Sequence, residues 1–211
     1  MFDIEYKGGN GLIISTKKID LIVDPNLAVV GLKPLSVKEK IELATEARLA
    51  VNDPNSLISI EGPGEYEIGD FSIRGISAQR HIDDEKSEKR ATIYRIEIAD
   101  VRIAILGNIT SKLNEEQLEE IGVVDIVIIP VGGNGLTLDA TSAAAIVRSI
   151  DPKVVIPVHY ASGSLNYEVP QEKVDLFIKE LAAPVEKVQG KYKVKNAAAL
   201  PLTLTLVEIE L

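Results

Sequence analysis

The first third of the chain reads as short, β-rich runs of apolar residues broken by tight turns. Residues 2–6, 11–16 and 20–23 are such runs, separated by Gly8-Gly9-Asn10 and by Lys17-Lys18, and this pattern predicts a strand meander. Ser36 followed three positions on by Glu39, with Val37, Ile41 and Ala44 at helical spacing, predicts a capped helix ending near Glu46. Residues 49–51 and 57–60 are expected to be short strands around the polar loop Asn52-Asp53-Pro54-Asn55. Gly62-Pro63-Gly64 is a turn before strands at 65–68 and 71–76. Residues 82–90 form a solvated charge run, and 92–98 and 101–106 a hairpin around Ala99-Asp100.

From Asn114 the pattern changes. A helix to about Glu120, an apolar strand at 125–129, a helix at 139–150 and a second apolar strand at 153–157 give a βαβ signature. Ile126-Val127-Ile128-Ile129 and Val154-Val155-Ile156 are continuous apolar runs, which implies burial on both faces and helices covering the sheet. A helix at 171–181 and a closing strand at 202–211 follow. Two packed sheets with helices outside is the class this suggests. Gly-Gly-Asn-Gly-Leu occurs at 8–12 and again at 132–136, either as an internal duplication or as two unrelated turns that use glycine and asparagine at positive φ.

Composition narrows the setting. At 211 residues, with 45% hydrophobic and 26% charged positions, the chain is expected to be one soluble domain spanning 1–211. It has no run of about 18 apolar residues, and Met1-Phe2-Asp3-Ile4-Glu5 is not a signal-peptide start, so the cytoplasm is the expected compartment. A net charge of −9 repels phosphate backbones and anionic membrane surfaces, so neither nucleic acid nor membrane is expected as a partner. Without cysteine and with only two histidines, disulfides, thiolate nucleophiles and Cys-ligated metals are excluded.

Asp125-Ile126-Val127-Ile128-Ile129-Pro130-Val131-Gly132-Gly133, Thr137-Leu138-Asp139-Ala140 and Pro152-Lys153-Val154-Val155-Ile156-Pro157-Val158-His159-Tyr160 resemble the metallo-β-lactamase superfamily, in particular its ascorbate-6-phosphate lactonase-like branch. Ile22-Val23-Asp24-Pro25, the turn Gly62-Pro63-Gly64-Glu65-Tyr66-Glu67-Ile68, and Leu106-Gly107-Asn108 in place of Leu-Gly-Asp extend the resemblance in order along the chain. The fold it implies is α+β, a four-layer αββα sandwich.

Active members of that superfamily carry a His-x-His-x-Asp-His loop after a strand, because dinuclear zinc needs converging imidazole and carboxylate ligands. With 49–51 taken as the strand, the matching positions here are Asn52, Asp53, Pro54, Asn55, Ser56 and Leu57, with no histidine. The resemblance sets Arg80 on the next histidine, with His81 one position away, and sets Asn108, a much weaker ligand than a carboxylate, on the metal-bridging aspartate. His159 alone is retained.

The candidate vestigial pocket is therefore Asn52, His81, Asn108 and His159, with no metal and no cofactor expected. Each has a plainer reading. His159 can be a hydrogen-bonded strand end, and since no catalytic metal is expected to depend on its imidazole, replacing it by alanine is expected to leave stability and any cellular role nearly intact. His81 can pair with a carboxylate at the pocket mouth or simply be solvated, Asn108 can hydrogen-bond a substrate or His159 or satisfy local backbone, and the 52–55 loop can offer oxygens to Ca²⁺ or Mg²⁺ or be a turn. The expected function is non-hydrolytic binding or assembly, with a small acidic ligand or a protein as partner. The alternatives are a metal-dependent hydrolase of a small acidic or lactone-like substrate, and a homo-oligomer subunit pairing through an exposed strand at 202–207.

Overall fold

The computed structural model describes residues 1–82, 90–163 and 165–211. Strands β1 (Phe2–Gly8), β2 (Gly11–Ser15), β3 (Asp20–Val23), β4 (Ile41–Leu43), β5 (Ile58–Ile60) and β13 (Tyr192–Val194) make a six-stranded sheet in the order β13-β1-β2-β3-β4-β5. Strands β6 (Gly64–Ile68), β7 (Phe71–Ala78), β8 (Ala91–Ile98), β9 (Val101–Ile105), β10 (Ile126–Pro130), β11 (Val154–Val158), β12 (Val185–Gln189) and β14 (Thr205–Glu210) make an eight-stranded sheet in the order β12-β14-β11-β10-β9-β8-β7-β6.

The two sheets bury their facing sides in one core. Along β1, Phe2, Ile4 and Tyr6 point inward while Asp3, Glu5 and Lys7 stay partly exposed, the two-residue period of a half-buried strand. These inward residues join Ile14, Ile73, Ile93 and Ile103 in a single hydrophobic cluster. In β10 and β11 every residue is buried, because the two pair in parallel, Ile126 with Val154 through Pro130 with Val158, and α2 (Ala140–Ile150) packs on β10. Helix α3 (Val174–Leu181) packs on α2, and α1 (Glu115–Ile121) packs on β7. The β8–β9 hairpin closes through Ala99 (φ 49°) and Asp100 (φ 63°), both left-handed as a two-residue turn of this twist requires.

The αββα frame is the one expected, with four local departures. The segment read as a helix from Ser36 to Glu46 instead carries strand β4, parallel to both β3 and β5. Glu39 sits at φ 58°, which breaks any helix there, and the ladder hydrogen bonds of two neighbours outweigh a capping-box signal. Residues 49–51 are not a strand, because Ala47–Leu49 form a 3₁₀ turn. Strands β12 and β13 were not anticipated. β12 is a largely exposed edge strand whose Val-Glu-Lys-Val-Gln sequence carries little apolar pattern. The 202–207 strand offers no free edge, since β14 is bracketed by β11 and β12. Most of the 82–90 charge run, and with it Asp83 and Asp84, lies outside the described residues. Among those residues no helix is long and apolar enough to cross a membrane.

Helix α1 begins with a reciprocal cap. Asn114 accepts from the Gln117 N–H at 2.8 Å while the Gln117 side chain accepts from the Asn114 N–H at 3.1 Å. Asn114→Ala is expected to cost about 1 kcal/mol and to lower the melting temperature by about 2–4 °C for a chain of this size, checked by thermal unfolding monitored by circular dichroism.

Candidate functional site

The ends of β3, β4 and β9 converge on a buried polar centre. Past β3 the backbone turns left-handed at Asp24 (φ 47°), whose N–H donates to Leu43 O at 2.8 Å. The Asp24 carboxyl accepts from both Thr45 N–H and Thr45 Oγ1, each at 2.7 Å. Burial pushes the Asp24 carboxyl up to about 8 despite those two hydrogen bonds. From the other sheet, Gly107 (φ 62°) brings the chain past Thr45 so closely that a Cβ would lie 2.7 Å from Thr45 Cβ, which only glycine permits.

Beside this pair lies Glu46, its side chain 2% exposed. Arg48 donates to it from Nε at 2.9 Å and from Nη2 at 3.4 Å, the Arg80 guanidinium lies 3.8 Å away, and Asn108 Nδ2 donates to Oε1 at 2.8 Å. One buried carboxylate thus ties the loop after β4 to the segments that follow β7 and β9. A buried charge needs such partners.

His159 closes the centre from the end of β11. Its backbone is left-handed (φ 52°), and its N–H donates to Gly9 O at 2.8 Å and to the Tyr6 hydroxyl at 3.2 Å. The Tyr167 ring meets the imidazole edge-on at 4.8 Å between centroids, and the Tyr167 hydroxyl donates to Tyr160 O at 3.0 Å. Burial, reinforced by the nearby Arg48 charge, depresses the His159 imidazole to about 3, so it is neutral across the physiological range. His159, Asn108, Asp24, Arg48, Asn10 and Tyr167 border a cavity of about 30 Å³, room for two or three waters where one water needs about 10–15 Å³. Around it, Asn10 Oδ1, Asn108 Oδ1 and His159 Nδ1 are buried without a hydrogen-bond partner among the described residues.

Of the residues nominated from sequence, Asn108 and His159 share this cavity. His81 is next to Asn108 through the backbone, its N–H donating to Asn108 O at 2.8 Å, and its buried Nδ1 has no hydrogen-bond partner among the described residues. Asp83 and Asp84, the carboxylates that follow it in sequence, lie outside the described residues. Asn52 is elsewhere. It is exposed and left-handed (φ 56°), and its Oδ1 accepts from Ser59 Oγ at 3.0 Å. The 52–55 loop is a turn in which Asp53 Oδ1 accepts from Asn55 N–H and Nδ2, both at 2.8 Å.

The reason Asn52 misses the pocket is that the strand entering it is β4, so the loop that matters starts at Ala44. Glu46-Ala47-Arg48-Leu49-Ala50-Val51 has the spacing of His-x-His-x-Asp-His with none of its residues. That spacing, counted from Ile41-Glu42-Leu43 as a strand, would have identified Glu46 and Arg48. Asp24 stood within a quoted motif, whereas no sequence pattern marked Tyr6 or Tyr167. Among the described residues no three His, Asp or Glu side chains form a group able to hold a metal ion.

Comparison with known proteins adds the following. A family model for the beta-lactamase superfamily domain matches residues 3–159. A UPF0173 protein of Pyrococcus abyssi is 27% identical over 209 residues, covering 84% of this chain and 95% of its own. A second, of Pyrococcus furiosus, is 27% identical over 177 residues, covering 78% and 80%. A Thermotoga maritima structure named for the Zn-dependent hydrolases of the metallo-beta-lactamase superfamily aligns with a TM-score of 0.79 at 20% identity, over 100% of both chains. A metallo hydrolase from Ignicoccus hospitalis aligns with a TM-score of 0.62 at 14% identity, over 98% of this chain and 95% of its own. Such structural likeness speaks for the fold.

The burial of His159 overturns the expectation that alanine is harmless there, because alanine would empty the space against Tyr167 and sit at positive φ. Asparagine tolerates that backbone and isolates the titration. A base held neutral in the fold contributes stability that is present above its unfolded value of 6.5 and is lost as pH falls toward about 3. The wild type is therefore expected to lose about 2 kcal/mol more than His159→Asn between about pH 7 and about pH 5, read from urea unfolding of both proteins at each pH. Parallel pH profiles would show that His159 is not held neutral.

Proposed function

The chain belongs to the beta-lactamase superfamily domain family, and from that membership and the chemistry of its pocket we propose that it keeps the family's sandwich as a non-hydrolytic scaffold for binding or assembly, without a zinc centre. The observation that carries this reading is the Glu46 cluster. A zinc site takes three or four nitrogen, sulfur or oxygen ligands. Here the loop after β4 and the segments after β7 and β9 bring together one carboxylate, two guanidiniums and one amide. A guanidinium has no lone pair to offer and cannot be deprotonated, and its charge repels a dication. The donors present therefore do not fit zinc, and no side chain here substitutes for it in lowering the pKa of water.

His159 does not replace that chemistry as a base, because burial disfavours its protonated form. The 30 Å³ cavity beside it accepts water but no substrate. This reading gives the protein a cytoplasmic setting and a small acidic ligand or a protein as partner, a second copy of the chain included. Its acidic balance, a net charge of −9, argues against nucleic acid and anionic membranes.

A second reading, a metal-dependent hydrolase of a small acidic or lactone-like substrate with an atypical site, draws on two points. Proteins of this fold carry hydrolase names, and three buried polar atoms around the cavity lack partners among the described residues. Metal content separates the two. Untagged protein equilibrated with zinc, manganese and iron and then desalted is expected to retain less than about a tenth of an equivalent by inductively coupled plasma mass spectrometry, given the three or four ligands a stable zinc site needs. A full equivalent would overturn the first reading and favour the second.

A further inference from the structure

An open cleft of about 440 Å³, which shares Arg48 with the small cavity, is lined by Glu46, Arg48, Glu61, Ser77, Arg80 and Arg90, among others. That volume falls within the range of small-molecule sites, about 300–1,000 Å³, whereas the cavity at His159 does not. Among the described residues, the guanidiniums of Arg48, Arg80 and Arg90 and the carboxylates of Glu46 and Glu61 line it.

We infer that this cleft is a binding site for a small oxyanion-bearing molecule, a phosphate ester or a carboxylate, gripped by Arg48 and Arg90 and held in register by Glu46. Glu46 is the positioning residue. It accepts from Nε and Nη2 of Arg48 and so fixes the plane of that guanidinium, while the Nη1 edge is not spent on this carboxylate. The Arg48 side chain is 36% exposed, and Arg90 stands exposed at the rim. A planar guanidinium held in place meets an oxyanion through two parallel N–H bonds with little further ordering cost, which is the geometry in which arginine outperforms lysine. Ala47, Pro63 and Ala91 supply apolar wall, as a pocket that orients its ligand through a few polar groups requires.

The inference rests on the reading that the centre carries no metal, and the test separates the two. Isothermal titration calorimetry of the full chain in EDTA, with sodium phosphate and with sodium acetate as probes and glycerol as the neutral control, is expected to give saturable one-to-one binding of at least one anion and none of glycerol. Binding is expected to weaken as salt is added. Arg90→Gln, at an exposed position, is expected to weaken it roughly tenfold. Glu61→Gln, which removes an exposed rim carboxylate, is expected to strengthen it several-fold, a gain that loss of folding cannot imitate. Phosphate binding alone points to a phosphate ester, and acetate binding alone to a carboxylate. No saturable binding of either anion by metal-free protein, or affinities that neither substitution moves, would overturn the inference and leave the non-zinc reading standing. Binding that appears only when EDTA is omitted would place the anion on a metal and defeat both.

Discussion

The structure of the site depends on one buried carboxylate. Glu46 is almost completely withdrawn from water, and its two oxygens are shared by Arg48, Asn108 and Arg80. Those three partners arrive from the loop after β4 in one sheet and the segments after β7 and β9 in the other, so the ion cluster fixes how the two sheets meet at this end of the sandwich. A buried ion pair contributes little net stability against an apolar replacement, but removing one member leaves an uncompensated charge that costs about 3–5 kcal/mol. Such a cluster therefore constrains geometry more than it adds free energy. Asp24 and Thr45 extend it by one link, and Gly107 provides the close approach that lets Asn108 reach it.

His159 belongs to the same cluster in a different way. A histidine at the end of a buried parallel strand can be a surviving ligand or a hydrogen-bonded strand end when only the sequence is seen. In the fold its N–H is bound to Gly9 and Tyr6, its ring is sealed by Tyr167, and its imidazole is held neutral by desolvation and by Arg48. The left-handed backbone at His159 is the strained element, and the hydrogen bonds to the β1–β2 turn hold it there. The Gly8–Leu12 and Gly132–Leu136 repeats fall on either side of this point, with Gly9, Asn10 and Leu136 on the cavity wall, so both glycine turns serve one site whatever their origin.

Much of the frame was legible in the sequence because its signals were of the strong kind. Ile126-Val127-Ile128-Ile129 and Val154-Val155-Ile156 could only be strands buried on both faces, and Ala99-Asp100 between two apolar alternations could only be a tight hairpin. The segment from Ser36 to Glu46 misled because Val37, Ile41 and Ala44 fit a helical period while only three residues, Ile41–Leu43, enter the sheet. Three residues are too few for any period to be read. Glu42, fully buried in that strand, looks like a surface residue in sequence. Its carboxylate accepts from the N–H groups of Val51 at 2.5 Å and Asn52 at 3.1 Å, a nonlocal contact that no pattern announces. The error displaced the ligand loop by six residues and moved attention from Glu46 to Asn52.

That displacement bears on what ligand loss means in this fold. With the loop set at 52–57, the site looked simply emptied, with polar residues of no particular order. With the loop at Glu46–Val51, the old ligand positions hold an organised set in which two guanidiniums and one carboxylate satisfy one another. Arg48 and Arg80 meet around Glu46 at this end of the sandwich, and a guanidinium has no lone pair with which to activate water. A metal ion binds an anionic substrate and also generates the nucleophile that attacks it, whereas arginine can perform only the first task. On the reading proposed above, a scaffold with guanidiniums where a metal would stand is chemically suited to hold an acidic molecule without consuming it.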